Sequence, residues 1–551
     1  MKIVFCSINS KFIHSSLAAW YFKASCEEFA ECAVVEGTIN EDVSELFDRI
    51  CEQGAEVVAF STYIWNLDLV LELAKRLKTK KGVKIILGGP EVSYNACEIL
   101  NKHYFVDYVV SGEGEEPLAK ICRGISKDEI EGLCYRKTKG VSIKPPHVSE
   151  KEPPNPYTKE YLERLNCRIA YIETSRGCPF KCAFCLSGSS GGVRFFDLEE
   201  MKRRIVLLAN SGTKTVKFID RTFNADRKRA RAIFEFIVSE WGKSIPKGVC
   251  FHFEIEGELL DDETIELLGK VPVGLFQFEI GLQSFNTDTL EAINRKCNLD
   301  RLSERIEKVV GLGNIHVHVD LIAGLPYESY ESFKESFNSA YKLKPHMLQL
   351  GFLKLLFGSK LRDEANDHEC KFTDTPPYEI VSNRWINEKE LEKLHLIEDV
   401  FEKLYNSRRF GLCCEYLDSV FSDAFEMYAE LADYVKAKEI PNTLDDFTRA
   451  VLEFFSSKKG VDSAALRDRM AVDRLATNKM GALPDFLKVK SPFLKKTLNE
   501  LEKDEATKRP DKIKRAATYL PTENRIAYVD YTECNYVTNR FLVKFTKILG
   551  N

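Results

Sequence analysis

Two long stretches of this chain alternate short apolar runs with helix-period segments, and nothing else in the sequence restricts the fold as much. Strands joined through helices lie parallel and need cover on both faces. In the first stretch the runs are KIVFCSI (2–8), AVVEGTI (33–39), EVVAFSTY (56–63), KIILGG (84–89) and DYVVSG (107–112), separated by amphipathic segments such as LDLVLELAKRLKTK. They predict an α/β domain over 1–136 with a doubly wound, Rossmann-like parallel sheet. In the second, CRIAYIETS, TKTVKFID, GVCFHFEIEG, LFQFEIGLQS, IHVHVDLIAG and MLQLGFLKLL predict a partial (β/α)6 barrel within 167–365. Between them, 137–166 is rich in proline and charge, without apolar period, and reads as an extended linker. The remainder, 366–551, has mainly helical periodicity.

Position along each strand says where chemistry can occur. In an open α/β sheet ligands sit outside the carboxyl ends of the strands. There the first sheet offers Asn9, then Ser61, Thr62 and Asn66, then Gly88, Gly89, Pro90 and Glu91, then Gly112, Glu113 and Gly114. In the barrel region polar and apolar residues alternate: His252, Glu254 and Glu256 against Phe251, Phe253 and Ile255, and His316, His318 and Asp320 against Val317, Val319 and Leu321. Barrel strands pack their outer faces on helices, so the polar set faces a polar lumen suited to binding.

The 17 cysteines are spread thinly, unlike a secreted disulfide framework. Singletons such as Cys26, Cys51, Cys97 and Cys250, and the adjacent pair Cys413 and Cys414, read as packing. One cluster stands apart. After the first barrel strand, ETSRGCPFKCAFCLSGSSGG sets Cys178, Cys182 and Cys185 at C-x3-C-x2-C. Zinc sites and electron-transfer clusters use four ligands. Three thiolates on a [4Fe–4S] cubane leave one iron open for chemistry; the alternatives are three coincidental cysteines or a redox pair with a bystander.

CPFKCAFC resembles the CxxxCxΦC motif of the radical S-adenosylmethionine (SAM) superfamily, with Phe184 as the aromatic. The resemblance implies that the open iron chelates SAM, whose reductive cleavage gives methionine and a 5′-deoxyadenosyl radical, with an external low-potential donor supplying the electron. It further implies SAM-binding roles for Asp220 in KFIDRTF, Glu254 in HFEIEGE, and Glu279, Gln283 and Ser284 in EIGLQS. The Gly-Gly-Glu segment that often serves the methionine amino group is absent, and FIDRTF stands in its place. ILGGPEVSYNA and YVVSGEGEEPL resemble the cobalamin-binding module fused ahead of many such enzymes, without its Asp-x-His-x-x-Gly; His14 lies in the corresponding loop. The implied enzyme is a cobalamin-dependent radical methyltransferase acting on an unactivated carbon. Alternatives are a radical rearrangement, cyclisation or oxidation without methyl transfer, or a non-catalytic corrinoid or redox sensor.

Composition narrows the partners. With 44% hydrophobic and 30% charged residues and a net charge of −5, the chain gives no case for DNA or a membrane surface. No apolar run approaches the ~18 residues of a membrane span. The N-terminus reads as a strand and not a signal peptide, so a reducing cytoplasmic location is expected. The lysine-rich segment 485–517, interleaved with Glu500, Glu502, Asp504 and Glu505, reads as a solvated helical face. The substrate stays open between a small metabolite, a peptide and an RNA base, and His316, His318 and Tyr327 take no fixed role.

Overall fold

The computed structural model describes residues 1–478, 483–501 and 516–548. Residues 502–515, part of the lysine-rich segment, lie outside the described residues. The chain divides into two compact units. One comprises Met1–Thr264, Asp288–Cys297 and Phe352–Arg384; the other Ile265–Thr287, Asn298–Gly351 and Trp385–Asn551.

The first unit opens with β1 (Lys2–Asn9), β2 (Glu31–Thr38), β3 (Val57–Ser61), β4 (Lys84–Gly88) and β5 (Tyr108–Val110), parallel in the order β2-β1-β3-β4-β5. This is the doubly wound sheet expected. Val4, Cys6, Val58, Phe60, Ile85 and Leu87 pack against Leu46, Ile50, Val70 and Leu73 from the crossover helices, all nearly solvent-free. Asp42 starts helix Val43–Glu52 by accepting the Ser44 and Glu45 N–H groups, a cap worth about 1 kcal/mol. The sheet then departs from the all-parallel reading. β6 (Leu133–Arg136) and β7 (Val141–Ser142) add antiparallel strands beyond β5. The stretch read as a linker is therefore structured at both ends, holding β7 and a helix, Lys159–Glu163, capped by Thr158.

The same unit contains the start of the barrel region. β8 (Ala170–Ile172) is followed by a two-residue pair, β9 (Ser175–Arg176) with β10 (Arg194–Phe195), and then by β11 (Thr215–Phe218) and β12 (Cys250–Ile255). β8 and β12 lie parallel on either side of β11. Strand parity is as expected. Phe218, Phe251 and Phe253 are fully buried, and ring contacts of 4.4–5.3 Å join Phe218, Phe223, Phe234 and Phe253.

The second unit contains β13 (Phe276–Gln283), parallel to β14 (His316–Ala323), and nearly all of β15 (Met347–Phe352). Its C-terminal part is mainly helical, from Glu388–Phe401, which starts in an Asn387/Glu390 capping box, to Ser463–Thr477. It is not wholly helical, because Ala517–Leu520, Arg525–Tyr528 and Lys544–Lys547 form a small antiparallel sheet. Cys413 and Cys414 are buried packing residues, and the Asp473 carboxylate accepts the Leu412 and Cys413 N–H groups. No helix among the described residues is long and apolar enough to cross a membrane.

Gly89 shows how tightly the β4 end is built. Its φ is +107°, and a Cβ there would fall 2.4 Å from the Thr62 carbonyl oxygen and 2.9 Å from its nitrogen. Backbone cannot yield cheaply, so Gly89→Ala should destabilise the chain by about 2 kcal/mol or more, read as a lower denaturant midpoint with unchanged slope.

Candidate functional site

The cysteine loop leaves β9 and returns through β10, and it is held along its length by backbone pairing. Ala183 donates its N–H to Ile293 O at 2.8 Å and accepts Leu361 N–H at 2.9 Å. Asn294 donates to Lys181 O at 2.8 Å. Gly188 lets the loop close, because a Cβ there would meet Phe180 O at 2.3 Å. Cys178 Sγ lies 3.3 Å from Thr222 Oγ1, and Cys182 Sγ is 3.9 Å from Arg295 Nη1. Cys178 and Cys182 are half-buried, Cys185 is exposed, and Phe184 is half-buried beside it.

A buried pair backs Cys182. Arg295 Nη2 donates to Glu256 Oε2 at 2.8 Å, with both side chains about nine-tenths buried. Burial opposes the charge on Arg295, but Glu256 outweighs it and holds the guanidinium protonated. Burial also raises the Cys182 thiol, with Arg295 pulling the other way.

Asp220 lies just past the end of β11, and its carboxylate is engaged by the chain itself. It is 1% exposed and accepts Thr174 N–H at 3.0 Å, Thr174 Oγ1–H at 2.7 Å and Ser175 Oγ–H at 2.5 Å. Burial raises its pKa despite those donors. The carboxylate thus fastens the end of β11 to the residues that launch the cysteine loop. Glu254 lies 3.5 Å from Lys217 Nζ and lines the cavity described next.

That cavity, of about 550 Å³, lies within the first unit. Asn9, His14, Ser61, Gly89, Gly112, Glu113 and Gly114 line it from the first sheet, as expected of a strand-end site. Thr62, Asn66, Gly88, Pro90 and Glu91 do not, and most of these hold the loops that do. Asn66 Nδ2 donates to Ile8 O and Ser61 O, Thr62 Oγ1 donates to Gly88 O, and Glu91 accepts the Tyr378 hydroxyl at 2.5 Å. The opposite wall comes from the barrel region, and of its residues Tyr171, Glu173, Arg176, Ile219, Arg221 and Glu254 only Glu254 was expected at a site. His14 Nδ1 lies 2.7 Å from Tyr171 OH across the cavity wall, and burial lowers its pKa. Burial pushes the Glu173 carboxyl up to about 7 against the pull of Arg176.

Glu279, Gln283 and Ser284 belong to the second unit. Glu279 is half-buried on β13. β13 ends in a register shift that puts Gln283 at φ +77° and 9% exposure. Ser284 Oγ donates to Glu328 at 2.6 Å, and Ser336 Oγ donates to the same oxygen at 2.9 Å. Burial lifts Glu328 to about 7. His318 Nε2 and Asp320 Oδ1 sit 2.9 Å apart on β14.

The residues fit the cofactors that the motif implies. No group of three His, Cys, Asp or Glu among the described residues converges on a single metal ion. A cubane asks for something else, three thiols each meeting a different iron, and one loop supplies them. In the first unit, the buried Glu256 Oε1 has no hydrogen-bond partner among the described residues and is available as an acceptor for a bound cation or hydroxyl. The cavity supplies a polar, partly aromatic wall of the kind a corrinoid needs, and Tyr63 stacks on Trp65 at 4.5 Å within it.

Three family models match parts of the chain. Residues 4–121 match the B12 binding domain, 172–340 the radical SAM superfamily, and 366–540 a protein family of unknown function, DUF4080. The chain joins a B12-binding domain to a radical SAM domain. It is 28% identical over 333 residues to 2-(S-pantetheinyl)-carbapenam-3-carboxylate methyltransferase of Streptantibioticus cattleyicolor, covering 55% of this chain and 48% of that protein. It is 28% identical over 341 residues to the cobalamin-dependent radical SAM methyltransferase TokK of Streptomyces tokunonensis, covering 56% and 49%. The chain thus spans about half the length of these relatives. The structure of OxsB, a cobalamin-dependent SAM radical enzyme with aqua-cobalamin and SAM bound, superposes with a TM-score of 0.61 at 12% identity, covering 85% of this chain and 78% of that one. At that identity the likeness establishes the fold.

Two substitutions test this geometry. Asp220→Asn turns an amide toward hydroxyl and N–H donors, so reconstituted protein should hold at most about half the wild-type iron per chain. Glu328 keeps its proton up to about pH 7 when folded, against 4.5 for an ordinary glutamate. Between those values the folded chain binds a proton that the unfolded chain has lost, so stability falls as pH rises. Glu328→Gln should abolish that decline, giving a gain of about 1–3 kcal/mol at pH 8 that shrinks toward pH 5 in denaturant titrations.

Proposed function

We propose that this protein is a cobalamin-dependent radical SAM methyltransferase acting on an unactivated carbon. The observation that carries the reading is the shared cavity: the corrinoid-side loops of the first sheet and the rim residues beside the cysteine loop line one space. Methyl transfer itself is suggested by what the two methyltransferase relatives do.

When bound, the cluster, SAM and the corrinoid would supply the radical and the methyl group. The chain's own residues hold and shield that chemistry. Cys178, Cys182 and Cys185 ligate the cluster, and the Arg295–Glu256 pair places a buried cation behind Cys182. The β1, β3, β4 and β5 loops seat the corrinoid. Glu173, on the cavity wall with a pKa near 7, can take or give a proton there at neutral pH. An external low-potential donor supplies the electron. The 17 cysteines, all free, suit a reducing cytoplasmic setting. The substrate is a small metabolite, a peptide or an RNA base.

Anaerobically reconstituted protein, given SAM and a low-potential reductant with cobalamin present or omitted, should form both 5′-deoxyadenosine and S-adenosylhomocysteine. The second product should depend on cobalamin, and both should vanish in Cys182→Ala. 5′-Deoxyadenosine alone, with candidate substrates supplied, would move the assignment to a radical rearrangement, cyclisation or oxidation.

A further inference from the structure

Five charged side chains meet where the first sheet approaches the base of the cysteine loop. Arg176 and Arg194 are cross-strand partners in β9 and β10, the two residue pairs that close the loop. Glu113 Oε2 accepts from Arg176 Nη1 at 3.0 Å, and Glu113 Oε1 accepts from Arg194 Nη2. One carboxylate from the sheet's β5 loop therefore grips both strands of the pair. Arg176 also donates to Glu115 Oε1 at 2.5 Å and Glu173 Oε1 at 2.9 Å, and Arg194 donates to Ser149 O.

These groups are largely out of water: side-chain exposure is 14% for Arg176, 17% for Glu113 and 12% for Glu115. Burial works against the charge on Arg176, but Glu115 and Glu173 outweigh it and lock the guanidinium in its protonated form. Buried pairs of this kind add little net stability, yet losing one partner leaves an uncompensated charge. Their value here is geometric. A ladder of two residue pairs is too short to fix a loop by itself. Cys178 lies two residues beyond Arg176, so the guanidinium also sets where the first thiolate stands.

The other end of the grip is at the corrinoid cavity. Gly112, Glu113 and Gly114 all line it. Gly112 sits at φ +86°, where a Cβ would meet the His147 backbone at 2.2 Å, and Glu113 N–H donates to His147 O at 2.9 Å. A ligand seated against this turn restrains the residue that holds the β9/β10 pair.

We propose that Glu113 is a positioning residue that couples corrinoid occupancy to the geometry and retention of the iron–sulfur cluster. The inference rests on the functional reading above, since it needs both cofactors to bind. Coupling between sites is reciprocal: a corrinoid that steadies the cysteine loop must itself bind more tightly when the cluster is in place.

The test compares iron release to a strong chelator, under anaerobic conditions, with and without hydroxocobalamin. A parallel titration measures hydroxocobalamin affinity with and without reconstituted cluster. In the wild-type chain cobalamin should slow iron release about fivefold or more, and the cluster should tighten cobalamin binding by a similar factor. In Glu113→Gln both ratios should fall to about one. Arg194→Met, which cuts one arm of the grip and leaves Arg176 paired, should give intermediate ratios and decides the matter if Glu113→Gln does not fold. If both cofactors bind to the wild-type chain but each ignores the other, or if the ratios survive in the variants, the coupling role is wrong. If wild-type protein binds no cobalamin or assembles no cluster, the functional reading fails first.

Discussion

A single guanidinium, that of Arg176, draws three carboxylates out of water and ties the end of the first sheet to the start of the barrel region. Glu173 comes from the end of β8, Glu113 and Glu115 from the loop and helix after β5. Segments more than fifty residues apart are brought together at one charge. Burial pushes Glu173 toward neutrality, while Glu115 and Glu173 together hold Arg176 firmly charged against its own burial. A hydrophobic contact could have packed the two regions. It could not have fixed direction as a forked cation does, and direction is what a thiolate ligand two residues away requires.

The parts legible in the sequence are those written locally. Strand runs and their parity follow from periods of 2 and 3.6, and every run singled out in the first sheet and in the barrel region contains a strand. The cysteines are legible because three thiols at C-x3-C-x2-C spacing suit a metal cluster far better than a packed core. Residues whose meaning is set by a distant partner are not legible in this way. Tyr171 lies within β8, and its place on the cavity wall depends on the first sheet opposite; Glu173 and Arg221 follow the ends of β8 and β11, where the strand-end rule used for the first sheet would find them. Asp220 sits at the expected strand end, but its neighbours in space are Thr174 and Ser175, forty-odd residues back, and only the fold shows that its carboxylate is engaged there.

Other departures have equally physical causes. Thr62, Asn66 and Glu91 carry the polar groups that a strand-end site calls for, yet they are used to hold backbone and loops, as buried side chains with nearby carbonyls and hydroxyls commonly are. The proline-rich stretch lacks apolar period, but β7 needs only two residues and the edge of β6 to exist. In the second unit, Ser284 and Ser336 both give their hydroxyls to Glu328, so a serine that the motif marks for a ligand is already spent on a carboxyl.

The antiparallel β6 and β7 have a further consequence for the chain as a free molecule. A parallel sheet ending at β5 would present a row of unpaired backbone donors and acceptors, an invitation to any other extended strand. β6 covers that row, and β7 ends the sheet after only two residues, offering too short a template for a neighbour to add to. The hairpin that merely interrupts the doubly wound pattern is thus also a guard against self-association along that edge.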